Sequence, residues 1–338
     1  MHQFHSLPLA VRFLAVLSLA AIGAPTVART NRQSANQQGE GPPALWRAPE
    51  NIRARDLFYG AGGKDHAPTG TFTFVVEDMN GSNPKFEAVD QQGVNWTVKM
   101  GEEARPEVAA SRIVWAVGYF TNEDYFLPTM RVQNMPHLQR GGSQVSDDGT
   151  VKNVRLKRHL KEQKKLGNWP WADNPFTNTR ELYGLRVLMA LINNWDLKDT
   201  NNSVYQVDGD HAEQLYIVAD LGSSFGAPGL NWQRKGTIRA YSHSKMISHT
   251  SPEYVDFSVP ARPKFDTFIN VPELAKRLNL RWLGQHIPTA DAKWIGQLLA
   301  QLSPAQIRDA FRAAGYSAED IESFGSAVED RIAQLKNL

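Results

Sequence analysis

Residues 193–222 read NNWDLKDTNNSVYQVDGDHAEQLYIVADLG. Just upstream, from Thr177 to about Ile192, the residues Leu182, Leu185, Met189 and Ile192 recur at helical spacing and predict a helix with one buried face. Within the quoted stretch, Ser203–Val207 and Leu215–Ala219 predict two short strands, and Asp208-Gly209-Asp210 between them has hairpin-turn chemistry. Asp196 therefore emerges just past a buried helix, where a rigid scaffold can aim it. Asn201 follows five residues later. The hairpin then brings the chain back. Asp220 stands at the tip of the apolar run Tyr216–Ala219, with Gly222 freeing the backbone to turn.

Two carboxylates and an amide gathered at one end of a hairpin suit phosphoryl transfer. That chemistry needs a cation on the phosphates, oxygen ligands for Mg2+, and a carboxylate aimed at the attacking hydroxyl. Asp196 has the place of the last, and Asn201 and Asp220 have those of the oxygen ligands. Gathered without a cation, such groups repel one another. The expectation is an apo site short of stability, which metal-nucleotide would restore.

Toward the N-terminus the pattern is that of strands. Phe72, Phe74 and Val76 alternate, Phe86 and Ala88 follow a Gly/Asn/Pro turn, and Val94–Lys99 alternates again, which predicts three short antiparallel strands. Pro106 opens a helix expected to end near Val117, before Gly118, with Glu107 in its first turn. Residues 139–151 read as a flexible loop and the basic run 156–165 as a solvated helix face. Toward the C-terminus, Gly222–Pro263 shows little periodicity. Helices follow: Trp294, Ile295, Leu298, Leu299 and Leu302 form a stripe, and Ser303–Gln306 and Ser317–Asp320 are capping starts for two more.

Asp196-Leu197-Lys198, Asn201, a hairpin and then Asp220-Leu221-Gly222 resembles the catalytic and metal-binding loops of protein kinases. Asn194-Trp195 stands where ordinary kinases carry His-Arg. The sequel Ser223-Ser224-Phe225-Gly226 is more similar to atypical kinases: the bacterial toxin-type Ser/Thr kinases, the secretory-pathway kinases and the spore-coat kinases. In the N-terminal half, Gly81-Ser82-Asn83-Pro84-Lys85 resembles the phosphate loop of the toxin-type enzymes. Val98-Lys99 resembles the strand lysine, and Glu107–Arg112 the helix whose glutamate pairs with it. The resemblance covers residues 70–225. It implies an α+β, bilobal protein-kinase-like fold, with an N-terminal antiparallel sheet lobe at about 46–135 and a helical C-terminal lobe at about 136–338. It also implies roles: Gly81, Ser82 and Lys85 at the nucleotide, Lys99 on the α- and β-phosphates, and Glu107 holding Lys99. Asp196 would orient or deprotonate the acceptor, Lys198 would neutralise the transferred group, and Asn201 and Asp220 would bind Mg2+ or Mn2+. The implied cofactor is ATP, and the implied partners are the nucleotide and a hydroxyl-bearing acceptor on protein, lipid or glycan. A monomer is expected. A non-catalytic kinase-like binding module and an AMP transferase are the other readings.

The ends of the chain and its composition bound the rest. Leu7–Val27 is apolar with Arg12 its only charge, and small residues around Ala28 follow, which is the layout of a cleaved secretory signal at 1–28. The expected location is therefore periplasmic or secreted, or membrane-anchored if the segment is uncleaved. Residues 29–45, rich in Gln, Asn, Gly and Pro, read as a flexible linker ahead of the 46–338 domain. With 37 Lys and Arg against 35 Asp and Glu, the chain lacks the field that nucleic-acid binding calls on. It holds no cysteine, which excludes disulfides, thiolate metal sites and Cys nucleophiles. Neither a His-Glu-x-x-His zinc motif nor a Gly-x-Ser-x-Gly elbow occurs.

Overall fold

A computed structural model describes residues 39–81, 83–194, 196–208, 212–226, 237–259 and 279–338. The expected leader at 1–28 lies outside them. The described chain enters as a strap rather than a tether. Strand β1 (Pro43–Ala44) pairs in parallel with Gln214 and Leu215, and Leu45, Ile52 and Leu57 are buried. Of these, Leu45 and β1 fall within the expected linker at 29–45, whereas Ile52 and Leu57 belong to the expected domain.

The N-terminal lobe is a closed barrel wrapped on one helix. Its elements in chain order are β2 (Phe72–Asp78), β3 (Lys85–Asp90), β4 (Asn95–Met100), helix α1 (Ala104–Ala116), β5 (Asp124–Gln133) and β6 (Thr150–Arg158). The spatial order is β2-β3-β4-β6-β5, and a short parallel pairing of Phe72 and Thr73 with Val132 and Gln133 closes the ring. Alternation decides which side chains enter. Phe86, Ala88, Trp96, Val98, Met100, Val154 and Leu156 fill the interior. Their neighbours Thr97, Lys99 and Arg155 face outward, yet are buried too, since α1 and the second lobe cover that face. A register shift between Phe74 and Val76 breaks the alternation of β2 and leaves Val75 and Val76 both exposed.

Two sequence expectations are corrected here. The barrel's last strand runs to Arg158, so the first lobe extends past the expected boundary near 135. The basic run 156–165 is not a helix. It is the end of β6, a turn, and the start of β7 (Gln163–Gly167). Leu156 enters the barrel while Lys157 sits on the outer face, a period of two that the surrounding lysines disguise.

The second lobe joins helices to two small sheets. Helix α2 (Arg180–Leu191) is capped by the Thr179 side chain, which accepts from the Leu182 N–H. Strands β8 (Asn202–Val207) and β9 (Glu213–Val218) form the expected hairpin, flanked by β7 and β1 in the order β1-β9-β8-β7. The interval that lacks periodicity nevertheless contains α3 (Ile238–Ser242), β10 (Ile247–Thr250) and β11 (Tyr254–Phe257). Strand β12 (Ile287–Pro288) pairs with β11, and helices α4 (Thr289–Leu299), α5 (Pro304–Ala313) and α6 (Ala318–Lys336) close the lobe. Ser303 and Gln306 form the reciprocal capping box that the sequence predicts, and Ser317 caps α6. No helix among the described residues is long and apolar enough to cross a membrane.

One buried cation fixes where α2 ends. Arg331 of α6 is 4 % exposed and donates to the carbonyls of Ala190, Leu191, Tyr241 and Ser244. It thereby satisfies carbonyls that a helix terminus leaves without partners. Asn193 then turns left-handed at φ 51, and Asn194 N–H reaches back to Met189 O. The segment carrying Asp196 starts from this fixed point.

Candidate active site

Lys99 is the centre of the site. It projects from the outer face of β4 and its side chain is 5 % exposed. Its ammonium lies 2.9 Å from Glu107 Oε2, 2.9 Å from Glu103 Oε2 and 3.1 Å from Asp220 Oδ1. Both glutamates come from the start of α1, one helical turn apart, so the helix presents them on a single face. Glu103 also accepts from Asn83 Nδ2, which ties the loop between β2 and β3 to the same place. The expected pairing of Lys99 with Glu107 is thus formed, and the hairpin delivers Asp220 to the same ammonium.

A second cation stands behind the first. Arg155 of β6 lies opposite Lys99 in register, and its Nη2 is 3.0 Å from Glu107 Oε1. Its Nε lies 3.7 Å from Asp124 Oδ1 at the start of β5. Four carboxylates, Glu103, Glu107, Asp124 and Asp220, therefore converge on two cations. Burial and this excess of negative charge set the titration. Burial pushes Glu103 up, against the pull of Lys99. Burial also pushes Asp124 up to about 6, against the pull of Arg155. Burial acts to lower Lys99, but Asp220, Glu107 and Glu103 together outweigh it and hold its pKa above the ordinary value. Asp220 goes the other way. Desolvation opposes its charge, but Lys99, the Gly222 N–H and Arg155 win and hold it at about 2. Its side chain is 40 % exposed, which places the ionised carboxylate at the solvent-facing rim of the cluster.

The loop after α2 meets this cluster through Asn201. Asn201 Nδ2 donates to Asp196 O at 2.6 Å, and Asn201 O accepts from the Ala219 and Asp220 N–H groups at 2.8 and 3.2 Å. One residue thus bridges the loop to the end of β9, and Asp196, Asn201 and Asp220 are neighbours in space. Asp196 N–H is held by Asn194 Oδ1, and its carboxylate takes the Lys198 ammonium at 2.7 Å. Asp196 is thus paired with Lys198, and Asp220 with Lys99. The repulsion expected of two bare carboxylates is relieved by those cations. Lys85 does not join the cluster. Although it stands opposite Lys99 in register, its ammonium pairs with Asp78 across its own hairpin at 3.0 Å. Gly81 is exposed at the tip of that hairpin with φ 73, and Ser82 lies outside the described residues.

The oxygens suit a hard divalent cation. Asp220 Oδ1 is taken by Lys99 and by Gly222 N–H, which leaves Oδ2 without a hydrogen bond among the described residues. The amide oxygen of Asn201 is in the same condition, since its bonds use Nδ2 and the main chain. A carboxylate and an amide oxygen are the donors Mg2+ and Mn2+ take, with water and phosphate supplying the remainder. Among the described residues there is no group of three His, Asp or Glu side chains set to hold a metal alone, so a nucleotide would have to complete the coordination.

Gly222 is required for a reason of space. A Cβ there would stand 2.8 Å from Glu103 Cβ and 3.2 Å from Lys99 Nζ. Gly222→Ala is expected to lower stability by about 1–3 kcal/mol in urea unfolding, as overpacked sites do. An unchanged midpoint would mean that α1 yields freely at this point.

Three members of the cluster, Glu103, Asp124 and Arg155, were not singled out from sequence. Glu103 had a signal, its four-residue spacing from Glu107. Arg155 and Asp124 had none without the barrel register.

No family model matches the chain, and no curated protein does. Solved structures do. The Helicobacter pylori proinflammatory kinase CtkA aligns over 80 % of this chain and 98 % of its own, at 12 % identity and a TM-score of 0.44. The Golgi casein kinase aligns over 80 % of this chain and 73 % of its own, at 10 % identity and a TM-score of 0.36. A structure of that enzyme with Mn/ADP bound aligns over 80 % and 72 %, also at 10 % identity and 0.36. The chain is similar to these kinases in the arrangement of its fold.

Proposed function

We propose that this chain is an exported, kinase-like phosphotransferase that uses ATP and a divalent cation to phosphorylate a hydroxyl acceptor. One observation carries the reading: Lys99 at 2.9 Å from Glu107 and 3.1 Å from Asp220, with Asn201 joining Asp220 to the Asp196 loop. A structural salt-bridge network has no need of a partly exposed, strongly ionised carboxylate beside an amide oxygen and a separate Asp-Lys pair.

In this reading Lys99 turns from its carboxylates to the α- and β-phosphates while Glu107 keeps it in place. Asp220 and Asn201 would hold Mg2+ or Mn2+, which when bound neutralises phosphate charge. Asp196 orients the acceptor O–H and takes its proton as the oxygen bonds to the γ-phosphorus and the bond to the leaving ADP oxygen breaks. Lys198, already 2.7 Å from Asp196, lies where it can offset charge on the transferred group. Export rests on the apolar segment Leu7–Val27 and the small residues after it.

The test is thermal unfolding of the purified chain with ATP, with and without Mn2+ or Mg2+, followed by phosphate transfer to generic protein acceptors. A rise in Tm that needs both nucleotide and metal is expected. No shift under any combination would remove the reading. A shift without transfer under a broad set of acceptors would favour the non-catalytic binding module.

A further inference from the structure

In the apo site Glu107 divides its two oxygens between two cations on adjacent strands. Oε2 faces Lys99 of β4 and Oε1 faces Arg155 of β6, at 2.9 and 3.0 Å, with the Glu107 side chain 1 % exposed. Lys99 is already oversubscribed, with Glu103 and Asp220 as further partners. To serve a nucleotide it must give up part of that set. If Lys99 were the sole anchor of Glu107, its shift toward phosphate would weaken the hold on that buried carboxylate and let the start of α1 move outward.

We infer that Arg155 is a positioning residue that clamps Glu107, and with it the start of α1, to the barrel independently of Lys99. Its backbone is fixed by pairing with both β4 and β5, opposite Lys99 on one side and Phe126 on the other. Its side chain is 7 % exposed and Asp124 holds it from behind. The hold on Glu107 is charge against charge in a dry place. The Nε and Nη1 groups of Arg155 make no hydrogen bond there, and its Nη2 meets Glu107 Oε1 at 3.0 Å as one charge against another. Lys99 can thereby give up Glu103 and Asp220 for phosphate and keep Glu107, while the start of the helix stays held from two sides. The turnover arm of this inference rests on the phosphotransferase reading, whereas its structural arm does not.

The experiment is amide hydrogen exchange over α1 in the full apo chain, comparing wild type with Arg155→Met, Arg155→Lys and, in a Glu103→Gln background, Lys99→Met. Arg155→Met is expected to speed exchange at residues 104–110 by about tenfold or more, while Lys99→Met in the Glu103→Gln background, where Glu103 is no longer a buried charge facing Lys99, changes it by less than about threefold. Arg155→Lys should restore most of the protection, because charge and not fork geometry makes the contact. In turnover, Arg155→Met should raise the nucleotide KM more than it lowers kcat, and Arg155→Lys should reverse that. Unchanged exchange in Arg155→Met would overturn the clamp, and so would Arg155→Lys behaving like Arg155→Met. Should Arg155→Met fail to fold, Lys99→Met in the Glu103→Gln background decides alone: α1 released by that change means Lys99 was the anchor of Glu107. A chain that shows the exchange pattern but no turnover would retain the clamp and lose the enzymatic reading.

Discussion

Asp220→Ala is expected to abolish the metal-dependent part of nucleotide stabilisation while leaving the fold in place. The carboxylate is held at about 2, so at neutral pH it is fully ionised, and its second oxygen is open. Removing it takes away the carboxylate that the hairpin brings to Asn201 at the solvent-facing rim. Metal-nucleotide affinity should fall about a hundredfold or more, which removes about 2.7 kcal/mol of ligand stabilisation at saturating ligand. In the apo protein the sign is opposite to that expected from the sequence. Asp220 is paired with Lys99 at 3.1 Å, and its pKa lies below the unfolded value. A depressed carboxylate stabilises the fold above the unfolded pKa, and that contribution is lost as pH falls toward the folded value. At neutral pH, therefore, Asp220→Ala should lower apo Tm slightly, not raise it. The loss stays small because the group is 40 % exposed and solvent screens the pair. Calorimetry of wild type and variant, apo and with ATP plus Mn2+, reads both effects. An Asp220→Ala protein that binds metal-nucleotide normally would reduce Asp220 to a turn residue.

What could be read from the sequence follows the range of the forces that build each part. The loop and hairpin at 193–222 were legible because every step is local: a helical stripe, two short strands and a turn. Lys99 and Glu107 were legible for a related reason, eight residues apart with a strand end and a helix start between them. The rest of the cluster depends on register between distant strands. Arg155 meets Lys99 only because β6 inserts between β4 and β5, and Asp124 meets Arg155 through the same insertion. No pattern within either strand announces that pairing. The basic run at 156–165 was misread since Arg155 and Lys157 on either side of Leu156 conceal a period of two. In the expected linker at 29–45, Pro43–Ala44 and Leu45 are tied down by pairing with β9 and by burial, which only the folded lobe supplies.

Asp196→Asn should separate binding from chemistry. The variant keeps shape and keeps an oxygen near Lys198, so the local structure has no reason to collapse. Its backbone anchors, Asn194 Oδ1 on the Asp196 N–H and Asn201 Nδ2 on the Asp196 O, do not involve the carboxylate. What is lost is the group that takes the acceptor's proton as its oxygen bonds to phosphorus. Turnover should fall by about 10²–10⁴, the usual contribution of a positioned base. Nucleotide-dependent thermal stabilisation should remain within about a factor of three in affinity, because no phosphate or metal ligand has been removed. Lys198 gives an internal control. It pairs with the Asp196 carboxylate at 2.7 Å and is half exposed, so freeing it costs little stability. Steady-state kinetics beside thermal titration would show the two effects apart. If Asp196→Asn lost nucleotide binding and turnover together, Asp196 would belong to the ligand-binding rim, and the acceptor's proton would have to leave by another group.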